Sequence, residues 1–421
     1  MPWPLGRWRV PFFYGWIVVG VVFLAEFASS GMGGQTVSLF FKPMRDDLGW
    51  SLSRLVGAVT AQAIAGIIVA PFLGPLLDRF GTRPIMLFGA IVAGGGLVLL
   101  MAVQAVWQFW LLYAIVGALG LSELGQITGP VAIAKWFVRR RGRAMALATL
   151  GQPVGGLVMA PIIGLLIAAV GWRNTWALMG GTLLALMVPT LFIFMRSRPE
   201  DMGLKPDSES SGGRATADGT DVVTAAAAEP VWTLREAMLT RSFWLLVIAL
   251  DLVSLSAGAI SANLVPFLTE QQGMSNARAS WVLTAFFGAA IFSRLGWGFL
   301  VERVPMRVCL ATLIVCRCVG TLALLVVPYP FNIVSYVVGV GLLGGSFGLL
   351  QPMVFANYYG RAFFGTISGS LRPFLALPQL VGPLFVAVLF DLTGSFNLGF
   401  FIMVPLGLRA SQAPRSRQVI T

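Results

Sequence analysis

The sequence predicts an all-α integral membrane protein: twelve transmembrane helices arranged as two parallel-repeat six-helix bundles. Three observations predict it. Of the 421 residues, 57% are apolar and 11% are charged, against about 25% charged in soluble domains. The apolar residues fall into runs near the ~20 residues that a bilayer span requires. Six runs precede the single long polar segment and six follow it. A water-soluble enzyme of this length has nowhere to bury so much apolar surface, so that class is excluded.

The elements follow in order, apolar runs separated by charged or Gly/Pro breaks. The first, 14–41, is far longer than the ~7–15-residue core of a cleavable signal and ends at Lys42 and Arg45. The second, 52–77, runs into Asp78 and Arg79; the third is 85–103. The fourth, 108–137, leads into a basic cluster of Lys135, Arg139, Arg140, Arg141 and Arg143. Arg173 separates the fifth, 143–170, from the sixth, 174–195. Gly151-Gln-Pro-Val-Gly155 and Ala160-Pro161 are expected to shape or bend the fifth. Arg196 to Arg241 is polar, and its middle, 208–221, reads as a disordered linker. The second set is 242–268, 279–301, 308–327, 331–358, 364–390 and 395–408. The last is shorter than a normal span, either a shortened helix or an altered C-terminus. The organisation is therefore an N-terminal bundle at 1–195, a cytoplasmic linker at 196–241 and a C-terminal bundle at 242–421.

An internal repeat supports this division. Gly49-Trp-Ser-Leu-Ser-Arg54 recurs as Gly273-Met-Ser-Asn-Ala-Arg278, and Gly74-Pro-Leu-Leu-Asp-Arg79 recurs at the same offset as Gly298-Phe-Leu-Val-Glu-Arg303. Nearly the same spacing relates Tyr113 to Tyr336, Pro130 to Pro352 and Pro161 to Pro383. Parallel repeats of this kind suit a transporter with a central site between two bundles. Most of the 29 lysines and arginines fall on the side that holds the N-terminus, the linker and the C-terminus. By the positive-inside rule that side is cytoplasmic, in a multi-pass protein of the inner or plasma membrane. This distribution accounts for the net charge of +12 through membrane lipid and topology, without nucleic acid.

Absences narrow the chemistry. There is no histidine, hence neither the commonest transition-metal ligand nor the usual general base. Cys309, Cys316 and Cys318 share one apolar run, in a spacing poor for chelation. No metal and no cofactor are expected, and no Walker loop supports ATP-driven transport. Gly339-Val-Gly341-Leu-Leu-Gly344 matches a dinucleotide fingerprint in letters only; with no strand before it, close helix packing is the expected role.

Gly74-Pro-Leu-Leu-Asp78-Arg79-Phe-Gly81-Thr-Arg83 resembles the signature loop between helices 2 and 3 of the major facilitator superfamily, although Thr82 and Leu77 depart from the usual residues. Its degenerate copy carries Glu302 and Arg303. The resemblance implies a conformational latch in which Gly74, Asp78, Arg79, Gly81, Arg83, Glu302 and Arg303 hold helix ends on the cytoplasmic side. Trp136-Phe137-Val-Arg139-Arg-Arg-Gly-Arg143-Ala-Met-Ala-Leu-Ala-Thr-Leu-Gly151 is similar to the signature of monocarboxylate transporters. Tyr14-Gly-Trp16 and Arg198-Pro-Glu-Asp-Met-Gly-Leu204 fit that group and its oxalate/formate-antiporter-like branches.

Charges inside spans are costly and each is a functional candidate. Arg294, in the eighth span, resembles the arginine that binds the substrate carboxylate in monocarboxylate and oxalate transporters; a guanidinium offers carboxylate a planar bidentate fork. Arg372 is the nearest equivalent of the second cation of oxalate-type members, with a structural role equally open. Two residues of animal-type carriers are replaced, an aspartate one turn before the arginine by Ala290 and a first-helix lysine by Gln35. That leaves Asp251, Glu26 and Glu123 as candidates for proton coupling, with Asp251 favoured because the seventh span adjoins the eighth in sequence. Gln35, Gln62, Gln126, Gln351 and Asn263 can bond a carboxylate or cement helices, and Arg317 is expected to serve packing. The expected function is secondary transport of small carboxylates with protons or a counter-anion, not enzymatic catalysis. Efflux of amphipathic compounds and a non-transporting membrane sensor are the alternatives.

Overall fold

The computed structural model describes residues 13–34, 36–204, 206–207, 232–274, 276–360 and 362–411. Among these residues every regular element is helical. In chain order they are α1 (Gly15–Phe41), α2 (Leu52–Phe80), α3 (Thr82–Leu100) and α4 (Val106–Trp136). The stretch Arg141–Phe194 holds α5 and α6, divided at Gly171, whose φ of 80° breaks the helical course. Then come α7 (Arg241–Pro266), α8 (Asn276–Leu300), α9 (Met306–Val326), α10 (Phe331–Tyr359), α11 (Phe364–Thr393) and α12 (Phe396–Ser411). Nine stretches of the described residues are long and apolar enough to cross a membrane; the division at Gly171, together with α8 and α12, brings the crossings to twelve. The last helix is described over 16 residues, up to the end of the described residues.

Burial is arranged for lipid. Phe72, Leu165 and Trp281 are about 70% exposed on the outer surface, where water would penalise them and hydrocarbon does not. Small residues let the backbones approach. A Cβ on Gly180 would lie 2.5 Å from the Gly94 carbonyl, closing α3 on α6. One on Gly320 would lie 2.9 Å from the Gly339 Cα, so the glycine series of α10 serves close packing against α9. Arg317 belongs to the same contact and donates to the Gly344 carbonyl at 2.9 Å. Asn263 likewise cements α7 to α11 through the Pro383 carbonyl at 3.2 Å.

The polar segment between the halves has ordered ends, while residues 208–231, which include the whole stretch expected to be disordered, lie outside the described residues. On the near side the Trp136 indole donates to the Arg196 carbonyl at 3.1 Å. Asp207 accepts the backbone N–H groups of Val138, Arg139 and Arg140 at 2.6–2.9 Å. On the far side Thr233 and Glu236 form a capping box at the start of the short helix Leu234–Leu239. The hydrogen bonds from Thr233 hold the Glu236 carboxyl below the usual carboxylate range.

Two helix pairs close the halves on each other at the linker end. α2 lies against α11, where a Cβ on Gly74 would meet the Gly365 carbonyl at 2.5 Å. α5 lies against α8, where a Cβ on Gly142 would meet the Gly298 carbonyl at 2.5 Å. These contacts are repeat-related, because α8 corresponds to α2 and α11 to α5.

Candidate functional site

Between the halves lies a cavity of about 240 Å³. The N-terminal half contributes Glu26 from α1, Gln126 from α4, and Thr149 and Gln152 from α5. The C-terminal half contributes Arg294 from α8, Gln351 from α10, and Ser368 and Arg372 from α11. The sequence therefore brings Arg294, Arg372, Glu26, Gln126 and Gln351 to one place, from five different helices.

Local chemistry explains how each is held. Glu26 is 4% exposed and sits where α1, α4 and α5 approach through glycines. A Cβ on Gly125 would lie 3.2 Å from the Glu26 backbone, and one on Gly151 would lie 2.9 Å from the Glu26 Cβ. Arg294 and Arg372 are its cationic neighbours. Arg372 also has Glu123 beside it. Glu123 is fully buried in the π-helical stretch Val116–Gln126, and among the described residues neither carboxylate oxygen has a hydrogen-bond partner. Such π-helical turns recur at functional sites.

The two arginines differ in what holds them. Arg294 reaches across to α5, donating from Nη1 to the Thr149 carbonyl and from Nη2 to Gln152 Oε1 at 3.1 Å. No hydrogen bond to another described residue holds the Arg372 guanidinium, which faces the cavity.

Other expected residues lie elsewhere. Asp251 does not line the cavity and is not a charged neighbour of Arg294, whose acidic neighbour is Glu26. Adjacency in sequence misleads here: α7 touches α8 only slightly and packs chiefly on α11. Gln62 lies on α2 against Gly117 of α4, outside the cavity lining. Gln35 lies outside the described residues.

The loop expected to act as a latch divides its work. The Asp78 carboxylate accepts from the Gly365 N–H at 3.1 Å, the Thr366 N–H at 2.6 Å and the Thr366 hydroxyl at 2.7 Å. It thereby caps the N-terminus of α11, in the opposite half, where the helix dipole favours an anion. Lys135 stands 3.8 Å from the same carboxylate. Glu302 performs the repeat-related act: it accepts from the Arg143 N–H at 3.0 Å and pairs with Arg143 Nε at 2.7 Å, at the start of α5. Among the described residues, the arginines of the loop do not cross between halves. Arg83 donates to the Phe192 carbonyl at 2.6 Å within the N-terminal half, Arg79 stacks over Phe80, and Arg303 is exposed. Gly81 has a φ of 84°, and a Cβ there would also strike Ser197 Oγ at 2.5 Å.

Sequence reasoning missed Arg141, which was visible only as one of a basic cluster. It is 4% exposed and joins two helix C-termini: those of α4 through Ala134 and Phe137, and α10 through Ala356 and the Asn357 side chain, at 3.0–3.3 Å. A cation among C-terminal carbonyls is favoured by both dipoles. Gln152 was also missed, although Pro153 beside it marks an unusual helical turn.

Residues 22–383 match the Major Facilitator Superfamily. The chain belongs to that superfamily. Among members similar to it, "Monocarboxylate transporter 3" of Rattus norvegicus is 26% identical over 413 residues, covering 92% of this chain and 76% of the relative. "Monocarboxylate transporter 12" of the same organism is 22% identical over 407 residues, covering 92% and 82%. The "Uncharacterized MFS-type transporter YcxA" of Bacillus subtilis is 24% identical over 370 residues, covering 86% of each chain. Among solved structures, the human organic anion transporter MFSD10 (TETRAN) superposes with a TM-score of 0.67 at 16% identity, over 94% of this chain and 98% of that one. That likeness concerns the fold alone. The protein is thus a multi-pass membrane transporter of the major facilitator superfamily, with monocarboxylate transporters among its distant relatives.

Proposed function

We propose that this superfamily member is a secondary active transporter of small carboxylates, working by alternating access between two six-helix bundles, 1–195 and 242–421, joined by a cytoplasmic linker, 196–241. The observation that carries this is the Arg372 guanidinium, open to the cavity between the halves beside Arg294 and Glu26. A guanidinium whose donors are not taken by hydrogen bonds is a strong attractor for a carboxylate in a low-dielectric site, even with acids nearby. Gln126 and Gln351 add polar groups to the same walls. A cavity of about 240 Å³ falls below the ~300–1,000 Å³ typical of drug-sized sites. That size favours a small anion over the efflux of amphipathic compounds.

Charge balance suggests the coupling. Arg294 and Arg372 face Glu26 and Glu123, so the ionised empty site is neutral. A bound carboxylate leaves one negative charge in excess, which is costly away from water. A proton on one of the acids removes it, giving symport; in exchange both the entering and the leaving anion carry the same excess charge through the site, so no net charge crosses. Glu26 is the first candidate for the proton because it touches the cavity and neighbours both arginines. Glu123 is second, and Asp251 acts, if at all, from outside the cavity.

Asp78, Glu302 and Arg141 hold the halves together at the linker end, which the positive-inside distribution assigns to the cytoplasm together with both termini. The test is uptake of a radiolabelled panel of mono- and dicarboxylates into proteoliposomes, with and without a pH gradient. Saturable uptake of at least one small carboxylate is expected. Transport of amphipathic cations with none of the carboxylates would refute the assignment.

A further inference from the structure

We propose that Gln152 and Pro153 build a parking place for the Arg294 guanidinium, so that α5 and the substrate carboxylate compete for the same donors. This rests on the carboxylate function proposed above and assigns a positioning role to two residues that it does not use. In an α-helix the carbonyl of Thr149 would accept from the N–H of residue 153. Residue 153 is proline, which has no N–H. The next bond in the ladder is intact, with Val154 N–H donating to the Leu150 carbonyl at 3.2 Å. The helix continues through Leu150 with helical dihedrals, so the Thr149 carbonyl is left without its backbone donor inside a continuous helical course.

Arg294 takes up that vacancy. Its Nη1 donates to the Thr149 carbonyl and its Nη2 to Gln152 Oε1 at 3.1 Å. Both acceptors are neutral, both lie in the opposite half, and both line the cavity. Each is therefore weaker than a carboxylate, against which a charge-assisted bidentate contact is favoured. The empty carrier holds Arg294 on α5 and so ties α5 to α8 at cavity level. A substrate carboxylate draws Arg294 away and frees that tie. The empty carrier is then slow to reorient and the loaded one fast, so exchange of substrate outruns net movement.

Pro153 and Gln152 act through Arg294, so the test separates this role from general damage. Lactate and oxalate, both radiolabelled, are the probes, in proteoliposomes with reconstitution checked by size-exclusion profile. Two quantities are read: KM, and the ratio of exchange (substrate inside) to net uptake (none inside). Gln152→Ala removes one acceptor, and Pro153→Ala gives the Thr149 carbonyl back its helical N–H donor, which competes with Arg294 there and weakens the other. Each is expected to lower KM several-fold, up to roughly tenfold for a hydrogen bond to a charged group, and to bring the exchange ratio towards one. Gln152→Glu offers Arg294 a stronger partner and is expected to shift KM in the opposite direction. If the folded variants keep the wild-type KM and exchange ratio, or if Glu and Ala at position 152 shift KM in the same direction, the parking role is refuted while carboxylate transport stands. A wild-type protein that moves neither probe and no other carboxylate refutes the transport assignment, and this inference with it.

Discussion

Arg294 and Glu26 set the terms at the residue scale. Arginine and lysine carry the same charge, but only arginine presents two parallel donors to one carboxylate. Arg294→Lys is expected to abolish most carboxylate uptake while the protein still reconstitutes as a monodisperse species; near-normal uptake would remove Arg294 from the binding site. For coupling, Glu26→Gln is expected to lose accumulation driven by a pH gradient while exchange at equal pH survives. Asp251→Asn is expected to keep that accumulation, because Asp251 lies off the cavity. The reverse pattern would transfer the coupling role to Asp251. Flux measured with and without a pH gradient separates these outcomes.

Helix ends, and the few side chains that cap them, decide the element scale. Asp78 caps α11 with three accepted hydrogen bonds, and Glu302 caps the start of α5. Loss of such a cap costs about 0.5–2 kcal/mol, paid only in the state closed at the linker end. Asp78→Asn is expected to change the turnover rate several-fold while leaving the order of preference among competing carboxylates as it was. A changed order in a competition assay would place the loop at the substrate. Much of this was legible beforehand. The repeat relating Gly74–Arg79 to Gly298–Arg303 pointed to paired roles for Asp78 and Glu302, and hydropathy located the spans. The partners were not legible, since Asp78 meets Thr366, 288 residues later. Nor was the division of labour in which the acids cross between halves and Arg79, Arg83 and Arg303 do not. For Asp251 and Arg294, proximity in sequence gave the wrong neighbour because bundle packing sends α7 to α11. The Arg294–α5 contact had a local signal in Pro153, whose missing N–H frees one carbonyl four residues earlier.

On the scale of the whole molecule, two repeat-related halves meet through α2–α11 and α5–α8, capped at one end and enclosing charge in the middle. If the capped end is cytoplasmic, a green fluorescent protein fused after Thr421 is expected to fluoresce, and alkaline phosphatase at the same place to be inactive; the opposite pair of results would invert the topology. The central claim is that both halves hold one carboxylate in the cavity between them, with Arg372 supplying the open guanidinium. Its most direct measurement is counterflow of radiolabelled lactate and oxalate at equal pH, comparing wild-type protein with Arg372→Ala. The account predicts a KM at least about tenfold higher in the variant, the loss expected when a hydrogen-bonded charge partner is removed. An unchanged KM, with transport intact, would contradict it.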